Sequence, residues 1–261
     1  MMRKRVLCVA LLALVAAALL VTGCRGTYVT GSGNLETRQM DYDDFSKLEV
    51  SYAFDVDVTR GDSYEVSITM DDNLFDYLRV GVSGQTPEIG MRQTRWYRNA
   101  TLRATVTMPD LTGLNVSGAS HVEAIGFNST DPLDMDVSGA SSVEFDNVVA
   151  GDVGFDVSGA STVSGTIDFA DGVMEVSGAS TVELEGSADD VSIEASGASR
   201  VRLGDLPVTD AWVELSGAST ANINASGTID CDLSGASHLT YTGDATLGSV
   251  DTSGASTISH E

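Results

Sequence analysis

Seven carboxylates recur at one point of a period: Asp136, Asp156, Glu175, Glu194, Glu214, Asp232 and Asp251, each two residues before a serine, with Asn115 ahead of them in the same place. If successive copies stack as neighbouring strands, these acids stand about 4.8 Å apart. Carboxylates that close repel one another, which raises some of their pKa values and draws cations. A hard, oxygen-liganded cation such as Ca²⁺ would relieve the repulsion. A solvated acidic face screened by salt explains the same column without any ligand. The spacing differs from the nine-residue Gly-Asp calcium repeats.

A second group has the opposite sign. Between residues 84 and 103 the strand-like rhythm breaks, and Arg92, Arg95, Trp96, Tyr97, Arg98 and Arg103 gather there. Such a cluster makes a contact patch for anionic headgroups or glycans, its aromatics stacking or anchoring at an interface. Alternatively the arginines pair with surrounding acids and lay their stems over apolar surface.

The remaining reactive side chains do not assemble into a catalytic set. His121 and His238 share one place in the repeat but lie six repeats apart, about 29 Å at strand spacing, so they cannot share a metal. Cys231 takes a place otherwise filled by Leu114, Met135, Phe155, Met174, Ile193, Val213 and Val250, and reads as a small buried apolar residue. β-Helical enzymes that cleave polysaccharides build a carboxylate cleft from long loops, and the returns here are short.

The element that must position the acids is a repeat. Ser-Gly-Ala-Ser begins at Ser117, Ser138, Ser158, Ser177, Ser196, Ser216, Ser234 and Ser253, at intervals of 21, 20, 19, 19, 20, 18 and 19 residues. An apolar residue stands three before each tetrapeptide, usually another one before, and an apolar residue follows two after it, as Val122, Val143, Val163 and Val182 do. This is period-two strand alternation, a small-residue corner and a second strand. A unit of this length with no helical period is one rung of a solenoid, and the expected fold is all-β: a right-handed, single-stranded parallel β-helix of about 19-residue rungs. Alternation turns the acids outward, opposite the apolar column. Small corner residues and stacked hydroxyls account for the tetrapeptide without a ligand; a hydroxyl-bearing face for a repeating polymer is the other reading.

Earlier alternation at Leu48–Val50, Phe54–Val58, Tyr64–Met70 and Leu78–Val82 assigns residues 43–110 to an N-terminal β part of the solenoid and 111–261 to the eight repeats. Residues 73–78 have room for one helical turn. Ahead of these lie Arg3-Lys4-Arg5, an uncharged run from Val6 to Thr22, and Gly23-Cys24, the layout of an export signal. Val21-Thr22-Gly23-Cys24 resembles the lipobox of bacterial lipoproteins, which implies removal of residues 1–23, lipidation of Cys24, a tether over 24–42, and a lipid-anchored place in the cell envelope. An ordinary signal peptide or an uncleaved anchor is the alternative. With Cys8 in the signal and Cys24 lipidated, Cys231 has no disulfide partner.

Cleavage would leave 11 Lys and Arg against 38 Asp and Glu, a formal charge of −27. That balance excludes nucleic acid as a partner and favours solubility and counter-cation uptake. It also matches what a high-salt habitat selects.

Gly31-Ser32-Gly33-Asn34, Phe45 with Leu48-Glu49-Val50, Met108-Pro109-Asp110-Leu111 and the Ser-Gly-Ala-Ser series together resemble the bacterial head GIN domain family over residues 30–258. The resemblance implies a β-helical envelope protein with adhesin-like character and no catalytic residues to carry over. Three functions follow in order: a non-enzymatic adhesive or structural surface for glycan, cell wall or envelope protein; a cation- or ligand-binding accessory of an envelope signalling or transport system; and a polysaccharide-active enzyme. The last rung, with no capping segment after Ile258, is expected to dock on another copy or to be shielded by the N-terminal half.

Overall fold

Each rung is built from two short strands meeting at a corner. The computed structural model describes residues 28–83, 86–93 and 95–261; the expected signal segment and Cys24 lie outside them. In chain order the first strands are β1 (Tyr28–Thr30), β2 (Leu35–Met40), β3 (Lys47–Val50), β4 (Asp55–Arg60) and β5 (Glu65–Asp71). A 3₁₀ turn at Asp72–Tyr77 follows, then β6 (Leu78–Ser83), β7 (Thr86–Met91), β8 (Trp96–Arg98), β9 (Leu102–Met108), β10 (Gly113–Val116) and β11 (His121–Ile125). From there a strand before and a strand after each tetrapeptide alternate to Thr246–Thr252 and Thr257–His260.

The strands before the corners form an 11-stranded leading sheet, and those after them form a 12-stranded trailing sheet. Within the repeats every pairing is parallel, Leu114 with Met135, Met135 with Phe155 and Phe155 with Met174, with register shifts between Phe145 and Val148, Leu203 and Pro207, and Ile229 and Cys231. The result is a parallel β-solenoid of about seven turns with ~20-residue rungs. Inward side chains of the two sheets meet in one core: Val116, Val137, Val157 and Val122, Val143, Val163 and Val182 are fully buried. Cys231 is buried in this column, and burial first, then neighbouring Asp230, Asp232 and Asp251, pushes its thiol pKa up.

The corner explains the tetrapeptide. Its glycine takes positive φ, +75° at Gly178, and the following alanine amide donates to the glycine carbonyl one rung earlier, Ala179 N to Gly159 O at 2.8 Å. Its last serine points inward: Ser199 Oγ donates to Ser196 O at 2.9 Å and lies 3.2 Å from Val176 O. Ser219 and Ser237 repeat both contacts. Ser199, Ser219 and Ser237 are tolerated in the core because each hydroxyl reaches a main-chain carbonyl of its own corner, whereas Ser161 Oγ is buried without a partner.

The N-terminal half closes one end. Here β5 pairs antiparallel with β2 and β9, and β6 with β7, so the parallel stack ends in antiparallel strands. Residues 28–40, expected as tether, are therefore strands β1 and β2, with β2 completing the edge of the trailing sheet. The sequence between Gly26 and Met40 is polar because β2 is exposed on both faces, which hides the alternation that marks half-buried strands.

The N-terminal half does not shield the last rung, contrary to the second of the two expectations for that end. In both sheets the N-terminal strands and the final strands occupy opposite edges. Thr246–Thr252 is exposed along its whole length, with Leu247 at 41 % and Val250 at 40 %.

Candidate functional site

Parallel register converts the acidic column into a physical ladder on the outer face of the leading sheet. Asn115, Asp136, Asp156, Glu175, Glu194, Glu214, Asp232 and Asp251 are consecutive cross-strand neighbours. All eight are exposed; from Asn115 to Asp232 each alternates with inward-facing buried positions on either side, whereas Asp251 stands between exposed Val250 and Thr252. Among the described residues none of the seven acids forms an ion pair.

The ladder is longer than the tetrapeptides indicate. Glu49 pairs with Asn115 and Glu88 pairs with Glu49, adding two carboxylates from β3 and β7. Glu88 differs from the rest in being held by Arg79 at 2.9 Å. The signal for Glu49 was present: Leu48-Glu49-Val50-Ser51 has the same apolar-acid-apolar-Ser order as Leu114-Asn115-Val116-Ser117. The corner after it reads Ser51-Tyr52-Ala53-Phe54, with Tyr52 at φ +67° where the repeats have glycine, and Ala53 N donating to Gly118 O.

Beside the ladder runs the next outward column, Lys47, Gly113, Asp134, Gly154, Val173, Ser192, Trp212 and Asp230. Gly113 and Gly154 carry no side chain there, and a groove of 540 Å³ opens over them between Lys47, Asn115, Asp136 and Asp156. On the ladder's other side a smaller notch of 170 Å³ joins Glu175, Glu194 and Glu214 to the first serines of the corners, Ser177, Ser196 and Ser216. Carboxylates and hydroxyls are thus presented together along several rungs.

Asp136 lies within the groove. Partial burial, and secondarily the charge of Asp156 on the next rung, raise its pKa above the ordinary carboxylate value. A folded-state pKa above the unfolded one means the native state binds that proton more readily. Native stability therefore gains as pH falls through the folded pKa, and the cost of the charged form is fully present at neutral pH. Asp136→Asn is expected to raise the melting temperature at pH 7 and to lose that advantage below about pH 3.8, the unfolded value. Melting curves of the two proteins across that range check this.

Among the described residues no three His, Cys, Asp or Glu side chains converge on a metal-sized position. Other acids are already used structurally: Asp190 accepts from Asp210 N at 3.0 Å, and Asp152 and Asp230 serve their following rungs likewise. His121 and His238 share the first outward column of the trailing sheet, bonded to Ser142 and Thr257.

The basic cluster lies on the N-terminal cap. Strand β8 pairs with β1 in parallel, Tyr28 with Trp96 and Thr30 with Arg98. Tyr97 faces inward, edge-on to Tyr77 at 6.0 Å, and its hydroxyl donates to Arg92 O at 2.8 Å. Burial chiefly raises the Tyr97 pKa, with Arg92 and Arg95 opposing. Trp96 and Tyr28 are exposed at 66 % and 47 %, and the Arg98 guanidinium lies 4.1 Å from the centre of the Tyr28 ring. Pairing with acids does not account for this cluster: among the described residues Arg92, Arg95 and Arg98 have no carboxylate within 4.0 Å, whereas Arg103 reaches Asp55 at that distance.

Fold and surface together define a β-solenoid that presents in-register side-chain ladders on open faces. The family model described as "Putative auto-transporter adhesin, head GIN domain" matches residues 44–245, and the chain belongs to that family. Its fold is similar to a "putative adhesin" from Parabacteroides distasonis, at TM-score 0.82 and 16 % identity over 90 % of this chain and 100 % of that one. A "putative lipid binding protein" from the same species gives TM-score 0.76 and 19 % identity over 90 % and 100 %. A "putative adhesin" from Bacteroides fragilis gives TM-score 0.66 and 22 % identity over 89 % and 100 %. No curated protein matches the chain significantly. No helix among the described residues is long and apolar enough to cross a membrane.

Proposed function

We propose that this protein is an exported, lipid-anchored envelope adhesin, non-enzymatic, whose acidic ladder and flanking serines bind a glycan of the cell wall. The observation that carries this reading is the ladder itself: seven exposed acids in unbroken register, none ion-paired among the described residues. Free carboxylates and corner hydroxyls are acceptors for sugar hydroxyl and amino groups. A polymer with its own repeat makes the same weak contact at successive rungs, and the summed contacts give avidity that no single rung has. The family description supports an adhesive role, and the Gly23-Cys24 sequence supports the anchor.

The test is a glycan array and a cell-wall pull-down with the wild-type protein and the triple variant Glu175→Gln, Glu194→Gln, Glu214→Gln. Binding is expected to weaken at least about tenfold in the variant, since each charge-assisted hydrogen bond contributes more than a neutral one. Retention of full affinity by the triple variant would sink the ladder as the binding surface. Mass spectrometry of the processed N-terminus tests the lipid on Cys24.

A further inference from the structure

The cap exposes cationic and aromatic side chains on an otherwise strongly acidic protein. Along β8 the residues alternate: Trp96 and Arg98 face out while Tyr97 packs inward, so a single rigid strand fixes the outward pair. Tyr28 joins them from β1, directly opposite Trp96 in the ladder, with the Arg98 guanidinium stacked on its ring. Arg92 and Arg95 stand exposed at the bend just before β8, closed by the Tyr97 hydroxyl bond to Arg92 O. Three guanidiniums without carboxylate partners among the described residues are unusual in a chain with so many acids to offer.

Position decides what this face meets. Three residues, Arg25, Gly26 and Thr27, lie between Cys24 and Tyr28, one of them a further cation. Extended chain spans at most ~3.6 Å per residue, so β1 begins within about 14 Å of that cysteine. A lipid there would hold β1 and β8 at the headgroup layer. Exposed Trp and Tyr partition to that layer, and Arg pairs bidentately with phosphate.

We propose that Tyr28, Trp96, Arg92, Arg95 and Arg98 form a membrane-contact face for anionic phospholipid headgroups, which seats the cap on the bilayer. The proposal rests on the lipid-anchor reading above for its placement, and on the unpaired arginines for its chemistry. The acidic ladder, on the leading sheet, is repelled by the same surface, so the two faces divide the molecule between membrane and solvent.

The processed full-length protein carrying Trp212→Phe leaves Trp96 as the single tryptophan. Reconstituted in vesicles containing phosphatidylglycerol and brominated phosphatidylcholine, Trp96 emission is expected to shift blue and be quenched. Replacing Arg92, Arg95 and Arg98 by Gln should abolish most of the quenching. The unlipidated mature chain should bind phosphatidylglycerol vesicles roughly 100-fold more tightly than the triple Gln variant, from about 1 kcal/mol per basic residue at 1.4 kcal/mol per tenfold. Unquenched Trp96 in a chain shown by mass to be lipidated and vesicle-bound would overturn the contact face and leave the anchor standing. An unmodified Cys24 with retained vesicle binding would overturn the anchor and leave the contact face standing. Equal binding to vesicles with and without phosphatidylglycerol would overturn the anionic-headgroup assignment.

Discussion

Gly178→Ala is expected to destabilise the middle of the solenoid by about 2–5 kcal/mol, combining the left-handed backbone penalty with overpacking. The backbone there has φ +75°, and an added Cβ would meet Gly159 O at 2.4 Å and Gly159 N at 3.1 Å. Those are main-chain atoms of the adjacent rung, so relief requires the rungs to part. Parting them breaks the Ala179 N to Gly159 O bond, which repeats at nearly every corner. Gly126 has a similar φ of +69° with nothing within 4 Å of its would-be Cβ, so Gly126→Ala should cost only about 1–2 kcal/mol. The difference between the two isolates the steric part.

Because each rung touches only its neighbours, a defect at Gly178 should also divide the cooperative unit. Chemical denaturation of Gly178→Ala is expected to show two transitions, or one with a reduced slope. Gly254→Ala, with the same clash against Gly235 O in the last corner, should fray that end and leave the main transition unchanged. A single unshifted transition in Gly178→Ala would contradict the account of the corner stack.

Those corners are also where the sequence was most legible. A tetrapeptide of small residues, flanked by alternating apolar positions, reports a turn that must fit against copies of itself, and the pattern survives because every rung imposes the same constraint. The ladder followed from the same register, since a column in sequence becomes a column in space once strands stack in parallel. Glu49 and Glu88 escaped because their corners are not built of Ser-Gly-Ala-Ser: Tyr52 takes the positive-φ place at one, and β7 lies in an antiparallel hairpin with β6. Strands β1 and β2 escaped for another reason. They bury almost nothing, so composition resembles a tether, and what holds them is hydrogen bonding to residues distant in sequence: β1 to β8, β2 to β5, and the turn between them to Asn73 and Asp71. Hydrophobic periodicity cannot register a contact of that kind.

The residue at the centre of that network is Asp71, the single buried charge among the described residues at 1 % exposure. Its Oδ1 accepts from Gly33 N at 2.6 Å and its Oδ2 from Thr101 N at 2.9 Å. Next to it, Asn73 Oδ1 accepts from Ser32 N at 3.0 Å and Asn73 Nδ2 donates to Thr30 O at 2.9 Å. Gly31 must lack a side chain because its Cβ would fall 2.4 Å from Asn99 O and 2.7 Å from the Asp71 carboxyl carbon. The Gly31–Asn34 turn is thus a clamp that fastens β1, and through it β8, to the cap. Asp71→Ala would leave two main-chain N–H groups without their acceptor, a loss of about 3–5 kcal/mol from charge-assisted bonds and unpaired donors. The loss should appear locally: fast amide exchange at Gly33 and Thr101, and loosening of β1 from β8, while the tetrapeptide rungs keep their protection. Asp71→Asn retains one acceptor oxygen and turns an amide NH₂ toward the other donor, so about half the effect is expected. If the contact face works as proposed, Asp71→Ala should also weaken vesicle binding without touching an arginine, because the strand that aligns Trp96 with Arg98 would no longer be held. Unchanged exchange at Gly33 and Thr101 in Asp71→Ala would show that the clamp does not depend on this carboxylate.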